Sequence, residues 1–184
     1  EIVICGAART AIGGFQGSFA ALSAPELGGQ AIRAALGSIS GDRVSERLMG
    51  CVLPAGQGQA PARQAGFHAG LPRDVPATTV NKMCGSGMKT VMLAFDQLRA
   101  GASGLVVAGG MESMTKAPYL LPKMRAGARL GHAQALDHMF LDGLEDAYAR
   151  DAAGGGRLMG TFAEDCASAF GFSRQAQDAF ALAS

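Results

Sequence analysis

Hydrophobic and polar positions along this chain follow two rhythms. Short, unbroken apolar runs of strand length occur at Ile2–Ala8, Met49–Pro54, Ala77–Val80 and Leu105–Ala108. Runs of that kind suit strands covered on both faces of a parallel sheet. Between them the spacing becomes helical. Pro25–Leu36 places Leu27, Ile32, Ala35 and Leu36 on one face, with Pro25 at the first turn and Gly37 just past the end. Pro61 opens a second helix reaching Ala69. A third carries Met88, Val91, Met92, Phe95 and Leu98 and is ended by Gly101. Strands alternating with helices in this way predict a layered, mostly parallel α/β sheet with right-handed crossovers.

From Thr115 to about Gly160 the rhythm breaks. Prolines, glycines and short helical pieces replace the alternation, which predicts a division into an α/β part over residues 1–114 and a loop subdomain over residues 115–184. The stretch from Lys116 through Lys123, Arg125 and Arg129 contains no acid, so it can attract phosphates or serve as a solvated loop or subunit contact. Ala152 to Gly156 reads as a surface turn. Two further helices are expected over Thr161–Phe170 and Ser173–Ser184, the second N-capped by Ser173. The chain opens on a strand without a methionine and closes inside a helical pattern, so a piece of a longer protein is expected.

Composition narrows the function classes. Of 184 residues, 48% are hydrophobic and 17% charged without charge blocks, which marks a globular chain. A net charge of +1 gives no global reason for nucleic acid or a membrane surface as a partner, and no apolar run approaches the ~20 residues of a membrane helix. Cys5, Cys51, Cys84 and Cys166 form no C-x-x-C pair, so neither a zinc site nor a redox motif is read and no metal is expected. Reduced thiols and a cytoplasmic location are expected instead. The glycines after the first apolar run lack the G-x-G-x-x-G spacing of a dinucleotide site.

The candidate chemistry sits where the third apolar run turns into the third helix. There Cys84 is flanked by Gly85 and Gly87, which clear space beside its sulfur. The first amides of a helix lack intrahelical partners and carry about half a positive charge. A thiol at such an end ionises more readily than the free value of ~8.5, as a cysteine nucleophile requires. A buried cysteine capping a packed helix fits the same spacing. Cys5, Cys51 and Cys166 read as packing residues, His68, His132 and His138 as structural, and Glu112 as a buried structural carboxylate near the site.

Four ordered segments carry a family resemblance. Asn81-Lys82-Met83-Cys84-Gly85-Ser86-Gly87-Met88-Lys89 resembles the nucleophile motif of the thiolases, in their acetyl-CoA acetyltransferase branch. Ala7 to Gly13 resembles the family's opening strand and loop. Ala108-Gly109-Gly110-Met111-Glu112-Ser113-Met114 resembles the stretch after the nucleophile helix. Tyr119 to Lys123 through Arg129 to His132 resembles the loop through which such enzymes form tetramers.

The resemblance spans the chain and implies the first half of a layered α/β/α/β/α thiolase fold with an inserted loop subdomain. It implies condensation of two acetyl-CoA into acetoacetyl-CoA, or the reverse thiolysis with CoA, with no resident cofactor, in a homotetramer acting in fatty acid metabolism. Cys84 would carry the acetyl group and its N–H would donate to the oxyanion; Met159 would pack on the pantetheine arm of CoA. Three departures stand out: Ala11 where proline is usual, Leu158 where many members carry histidine, and a glycine run at 154–156 resembling an insertion. The family's activating histidine and second cysteine have no match here, so the 184 residues alone are expected to be inactive. Rival readings are a longer-chain 3-ketoacyl-CoA thiolase, a ketosynthase-type condensing enzyme, which the Thr115–His132 loop argues against, and an inactive assembly fragment.

Overall fold

A computed structural model describes residues 1–150, 152 and 155–184. The chain divides into two compact units, Glu1–Met139 and Phe140–Ser184.

The first unit is built on a three-stranded sheet of β1 (Glu46–Gly50), β2 (Ala77–Val80) and β3 (Val106–Gly110), in the order β2-β1-β3. Both pairings are parallel; Gly50 pairs with Val80 on one side and with Gly110 on the other, so the three carboxyl ends are level. Helix α1 (Ala24–Leu36) packs on α2 (Pro61–Ala69), α2 packs on β1 and β2, and α3 (Ser86–Arg99) packs on β1 and β3. Strand alternation assigns the faces. A Cβ on Gly66 of α2 would collide with the Arg47 guanidinium, whereas a Cβ on Gly50 would collide with the Ser86–Gly87 backbone of α3. The two helices therefore cover opposite faces of β1. On the α1–α2 side the core joins Ala24, Ile32, Met49, Cys51, Ala62, Ala65, Leu71, Val75 and Met111.

Local chemistry explains the helix starts. The Ser23 hydroxyl accepts from the Glu26 N–H (3.3 Å) and the Glu26 carboxylate accepts from the Ser23 N–H (2.7 Å), a capping box that satisfies two helix-end donors. The Ser23 N–H, and then the Ser23 hydroxyl, which also donates to the Glu26 carboxylate at 2.7 Å, hold the Glu26 carboxyl below its ordinary value. Pro61 begins α2 and Gly70, in the left-handed region, ends it.

Two sequence expectations change. The segment Ile2–Ala8 forms no strand: Ile4 is 85% exposed, and no ladder partner accepts the segment among the described residues. The second run forms its strand three residues early, at Glu46–Gly50 rather than Met49–Pro54. The cause lies at its carboxyl end. Cys51 N–H still bonds the Val80 carbonyl (3.0 Å), but the Val52 and Leu53 N–H groups turn away to the Glu112 carboxylate, at 2.8 and 3.1 Å. Diverted amides cannot extend a ladder.

After β3 the first unit continues through a short antiparallel pair, β4 (Tyr119–Leu120) with β5 (Leu136–Asp137). The second unit pairs β6 (Glu145–Arg150) with β7 (Gly156–Leu158) antiparallel, followed by α4 (Met159–Phe170) and α5 (Arg174–Ala183). Ser173 caps α5 as the sequence predicts, accepting from the Ala176 N–H at 3.2 Å. Of the glycine run expected as an insertion, Gly154 lies outside the described residues, as does Ala153 of the expected turn, and Gly156 belongs to β7. No helix among the described residues is long and apolar enough to cross a membrane.

Candidate active site

Ligands of open parallel sheets bind at the carboxyl ends of the strands. At that end here lies the connection from β2 to α3, and it is tight. Only the five residues 81–85 separate Val80 from the first helical residue, Ser86. To make the reversal, Met83 adopts a left-handed backbone with φ of 48°. For a residue with a side chain that conformation costs about 1–2 kcal/mol, so it needs fixed partners. Three bonds provide them. The Met83 N–H donates to Asn81 Oδ1 (3.0 Å), and its carbonyl accepts from the Ser86 N–H (2.9 Å) and the Ser86 hydroxyl (2.5 Å). Ser86 also accepts from the Lys82 N–H at 2.8 Å and is itself buried.

Cys84 follows directly on Met83 and is exposed. Gly85 is the N-cap of α3, so Cys84 sits one residue ahead of the cap and two ahead of the first residue of a 14-residue helix, at the end where the helix dipole is positive. Glycines let that helix end approach the sheet: a Cβ on Gly110 would lie 3.3 Å from the Gly87 Cα. Thr90 locks the crossing: its hydroxyl lies 2.7 Å from the Gly87 carbonyl oxygen and 2.9 Å from that of Gly109, and its one proton is shared between them.

Cys51 has a different character. It is 1% exposed, and its thiol lies 3.6 Å from Glu112 Oε1. Burial, then the negative charge of Glu112 and the hydrogen bond to it, push the Cys51 thiol up to about 12. It therefore stays protonated and inert. The packing role expected for Cys51 holds, whereas Cys5 and Cys166 are exposed. His138 is buried at 4%, with Nε2 accepting from the Ala55 N–H at 3.4 Å. Met159 opens α4 in the second unit, 41% exposed. Among the described residues no group of three or more His, Cys, Asp or Glu is arranged to hold a metal ion. A surface hollow lined by Asp42, Val44, Asp74 and Pro76 lies at the amino ends of β1 and β2, opposite the end that carries Cys84.

The sequence pointed to Cys84 but not to the residues that shape its turn. Asn81, two residues before Met83, is a side-chain-to-backbone turn signal that could have been read. The grip of Glu112 on Val52 and Leu53 spans 60 and 59 positions and has no local signature.

An exposed thiol on a strained strand-to-helix turn is one design among many, and comparison with known proteins decides between them. Residues 2–184 match the family model described as thiolase, N-terminal domain. The chain belongs to the thiolase family. Its mixed α/β architecture, with helices on both faces of a parallel sheet, is that of a thiolase-like fold. The chain is 50% identical over 186 aligned residues to an acetyl-CoA acetyltransferase of Cupriavidus necator, covering 100% of this chain and 46% of that protein. An acetyl-CoA acetyltransferase of Pseudomonas aeruginosa is 48% identical with the same coverage. Acetyl-CoA acetyltransferase IB of Candida tropicalis is 46% identical over 98% of this chain and 44% of its own length. The thiolase chain thus spans less than half the length of these relatives.

Proposed function

We propose that this chain is the nucleophile-bearing part of an acetyl-CoA C-acetyltransferase. The carrying observation is Cys84, exposed on the turn that Met83, Asn81 and Ser86 hold at the amino end of α3. The names of the relatives above favour acetyl transfer over longer acyl chains and over decarboxylating condensation.

In the proposed reaction the Cys84 thiolate attacks the carbonyl carbon of acetyl-CoA. The carbonyl electron pair moves to oxygen, and the Cys84 N–H donates to that oxyanion beside the positive end of α3. A donor so placed is worth ~2.7–4 kcal/mol. Collapse expels CoA as thiolate, which takes up a proton, and leaves an acetyl thioester on Cys84. A second acetyl-CoA, having lost an α-proton to a base, attacks that thioester; acetoacetyl-CoA forms and the Cys84 thiolate returns. Thiolysis is the reverse. CoA thioesters are substrates here, and no resident cofactor enters.

The activating histidine and the cysteine base belong, on this proposal, to the part of the relatives' length that this chain does not span. Met159 packs on the pantetheine arm, the loop subdomain over residues 115–184 serves CoA and subunit contacts, and the Tyr119–His132 stretch joins subunits of a homotetramer. A cytoplasmic place in fatty acid metabolism fits a reduced nucleophile that uses acetyl-CoA.

The test uses the protein that carries this chain and acetyl-CoA labelled in the acetyl group. We expect one label per chain, on the peptide containing Cys84, and loss of turnover by on the order of 10³-fold or more in Cys84→Ser. A Cys84→Ser protein that kept wild-type turnover would remove Cys84 from the mechanism.

A further inference from the structure

Glu112 stands apart from the groups already used. It lies just past β3, and both of its carboxylate oxygens are committed. Oε2 accepts from the Val52 N–H at 2.8 Å; Oε1 accepts from the Leu53 N–H at 3.1 Å and from the Cys51 thiol at 3.6 Å. The segment so held does not end there. The Val52 carbonyl accepts from Asn81 Nδ2 at 3.4 Å, and Asn81 Oδ1 accepts from the Met83 N–H at 3.0 Å. Met83 is the left-handed residue next to the nucleophile. A hydrogen-bonded relay therefore leads from one carboxylate, through the loop after β1, to the turn that aims Cys84. It joins the three strand ends of the sheet, since Cys51 N–H bonds the Val80 carbonyl and Met111 N–H bonds the Gly50 carbonyl, at 3.0 and 2.9 Å.

We propose that Glu112 is a positioning residue for acyl transfer, holding Cys84 in its attacking orientation through Val52, Asn81 and Met83. This rests on the acyl-transfer reading above. The chemistry of the contact makes the carboxylate specific. Two adjacent N–H donors and a thiol need two acceptor oxygens, which an ionised carboxylate has. A glutamine of the same shape offers one oxygen and sets its NH2 against an N–H, so the Val52–Leu53 segment is released while little volume changes. The cost falls on catalysis, because a nucleophile displaced by about 1 Å loses on the order of 100-fold in rate.

The experiment measures steady-state kinetics and melting temperature for Glu112→Gln, Asn81→Ala and the double variant in the protein that carries this chain, after acetylation of wild-type Cys84 has been measured. We expect kcat to fall ~10- to 100-fold in each single variant, with KM for acetyl-CoA within about twofold. The double variant should lose no more than the worse single one, because both cut one relay. Wild-type kcat in Glu112→Gln, a loss confined to KM, or losses that multiply in the double variant would each overturn the proposal. Should Glu112→Gln fail to fold, Asn81→Asp decides the matter. It keeps the acceptor for Met83 but removes the donor to Val52, so it should lose kcat comparably, and wild-type kcat there overturns the relay. Failure of the parent reading looks different: wild-type Cys84 would then take no acetyl group at all.

Discussion

At the scale of single residues, the two cysteines nearest the sheet's carboxyl end are separated by environment. Cys84 is exposed, whereas Cys51 is sealed in the core beside a carboxylate. Iodoacetamide should therefore modify Cys84 in the native protein and leave Cys51 untouched until denaturant is added, which peptide mass spectrometry reads directly. The same burial sets a pH dependence. The folded-state value of Cys51 is raised above that of the unfolded thiol, so its contribution to stability is complete below about 9 and disappears as pH rises toward about 12. A Cys51→Ala protein should show a flatter loss of stability between about pH 9 and 11 in denaturant titrations; an unchanged slope would show that Cys51 does not govern it. Arg47 offers the opposite case. It is 0% exposed, its three guanidinium nitrogens have no hydrogen-bond partner among the described residues, and its head lies over the Phe67 ring at 5.2 Å. Desolvation, then the nearby Arg63, lowers its pKa. Replacing a buried cation that lacks a compensating anion by an apolar side chain of similar length removes its desolvation cost. Arg47→Met should accordingly raise the melting temperature by several degrees.

At the scale of elements, the decisive contact is the crossing of α3 over β1. Gly50 permits it, because a methyl group there would lie 2.8 Å from the Ser86 carbonyl carbon and 2.9 Å from the Gly87 nitrogen, both backbone atoms that cannot step aside. Gly50→Ala should therefore cost about 1–3 kcal/mol in denaturant unfolding and, on the proposed reaction, slow acetylation of Cys84, since the helix start that follows the thiol must shift. That crossing also shows how far a sequence can be read. Helices α1, α2 and α3 begin and end close to where spacing, prolines and glycines place them, because those signals act within a few residues. β2 falls on the apolar run that predicts it. The start of β1 was not legible: Glu46 and Arg47 look like loop residues, yet they lie in the ladder, while the more apolar Val52 and Leu53 are drawn out of it by a carboxylate distant in sequence. The segment from Ile2 to Ala8 fails for the complementary reason. Its pattern states a preference for extended backbone, yet among the described residues it pairs with neither open edge of the sheet, that of β2 or that of β3, because periodicity selects a backbone conformation and not a partner. Cys84 was legible as a candidate because cysteine, turn and helix are contiguous; the contacts of Glu112 with Val52 and Leu53 were not, because they are tertiary.

At the scale of the whole molecule, the apolar stripe that reads as core in the sequence is only partly core in the fold. Met88, Val91, Met92 and Phe95 recur on one side of α3 and remain exposed, and in the second unit Phe170, Phe180 and Leu182 are exposed as well. Contiguous apolar surface of this kind binds amphipathic dyes and lowers solubility. It also bears on activity. If the bases that use Cys84 lie in the length that the relatives have and this chain does not, one preparation tests both points. The 184 residues produced alone, with the mass checked, should bind anilinonaphthalene sulfonate strongly. Val91→Lys with Met92→Lys should reduce that signal by about half or more, since two charges interrupt the stripe. The same preparation should form no acetoacetyl-CoA from acetyl-CoA. Turnover by these residues alone would show that a base for the second acetyl-CoA lies among them after all, and would direct the search to His68, His132 and His138.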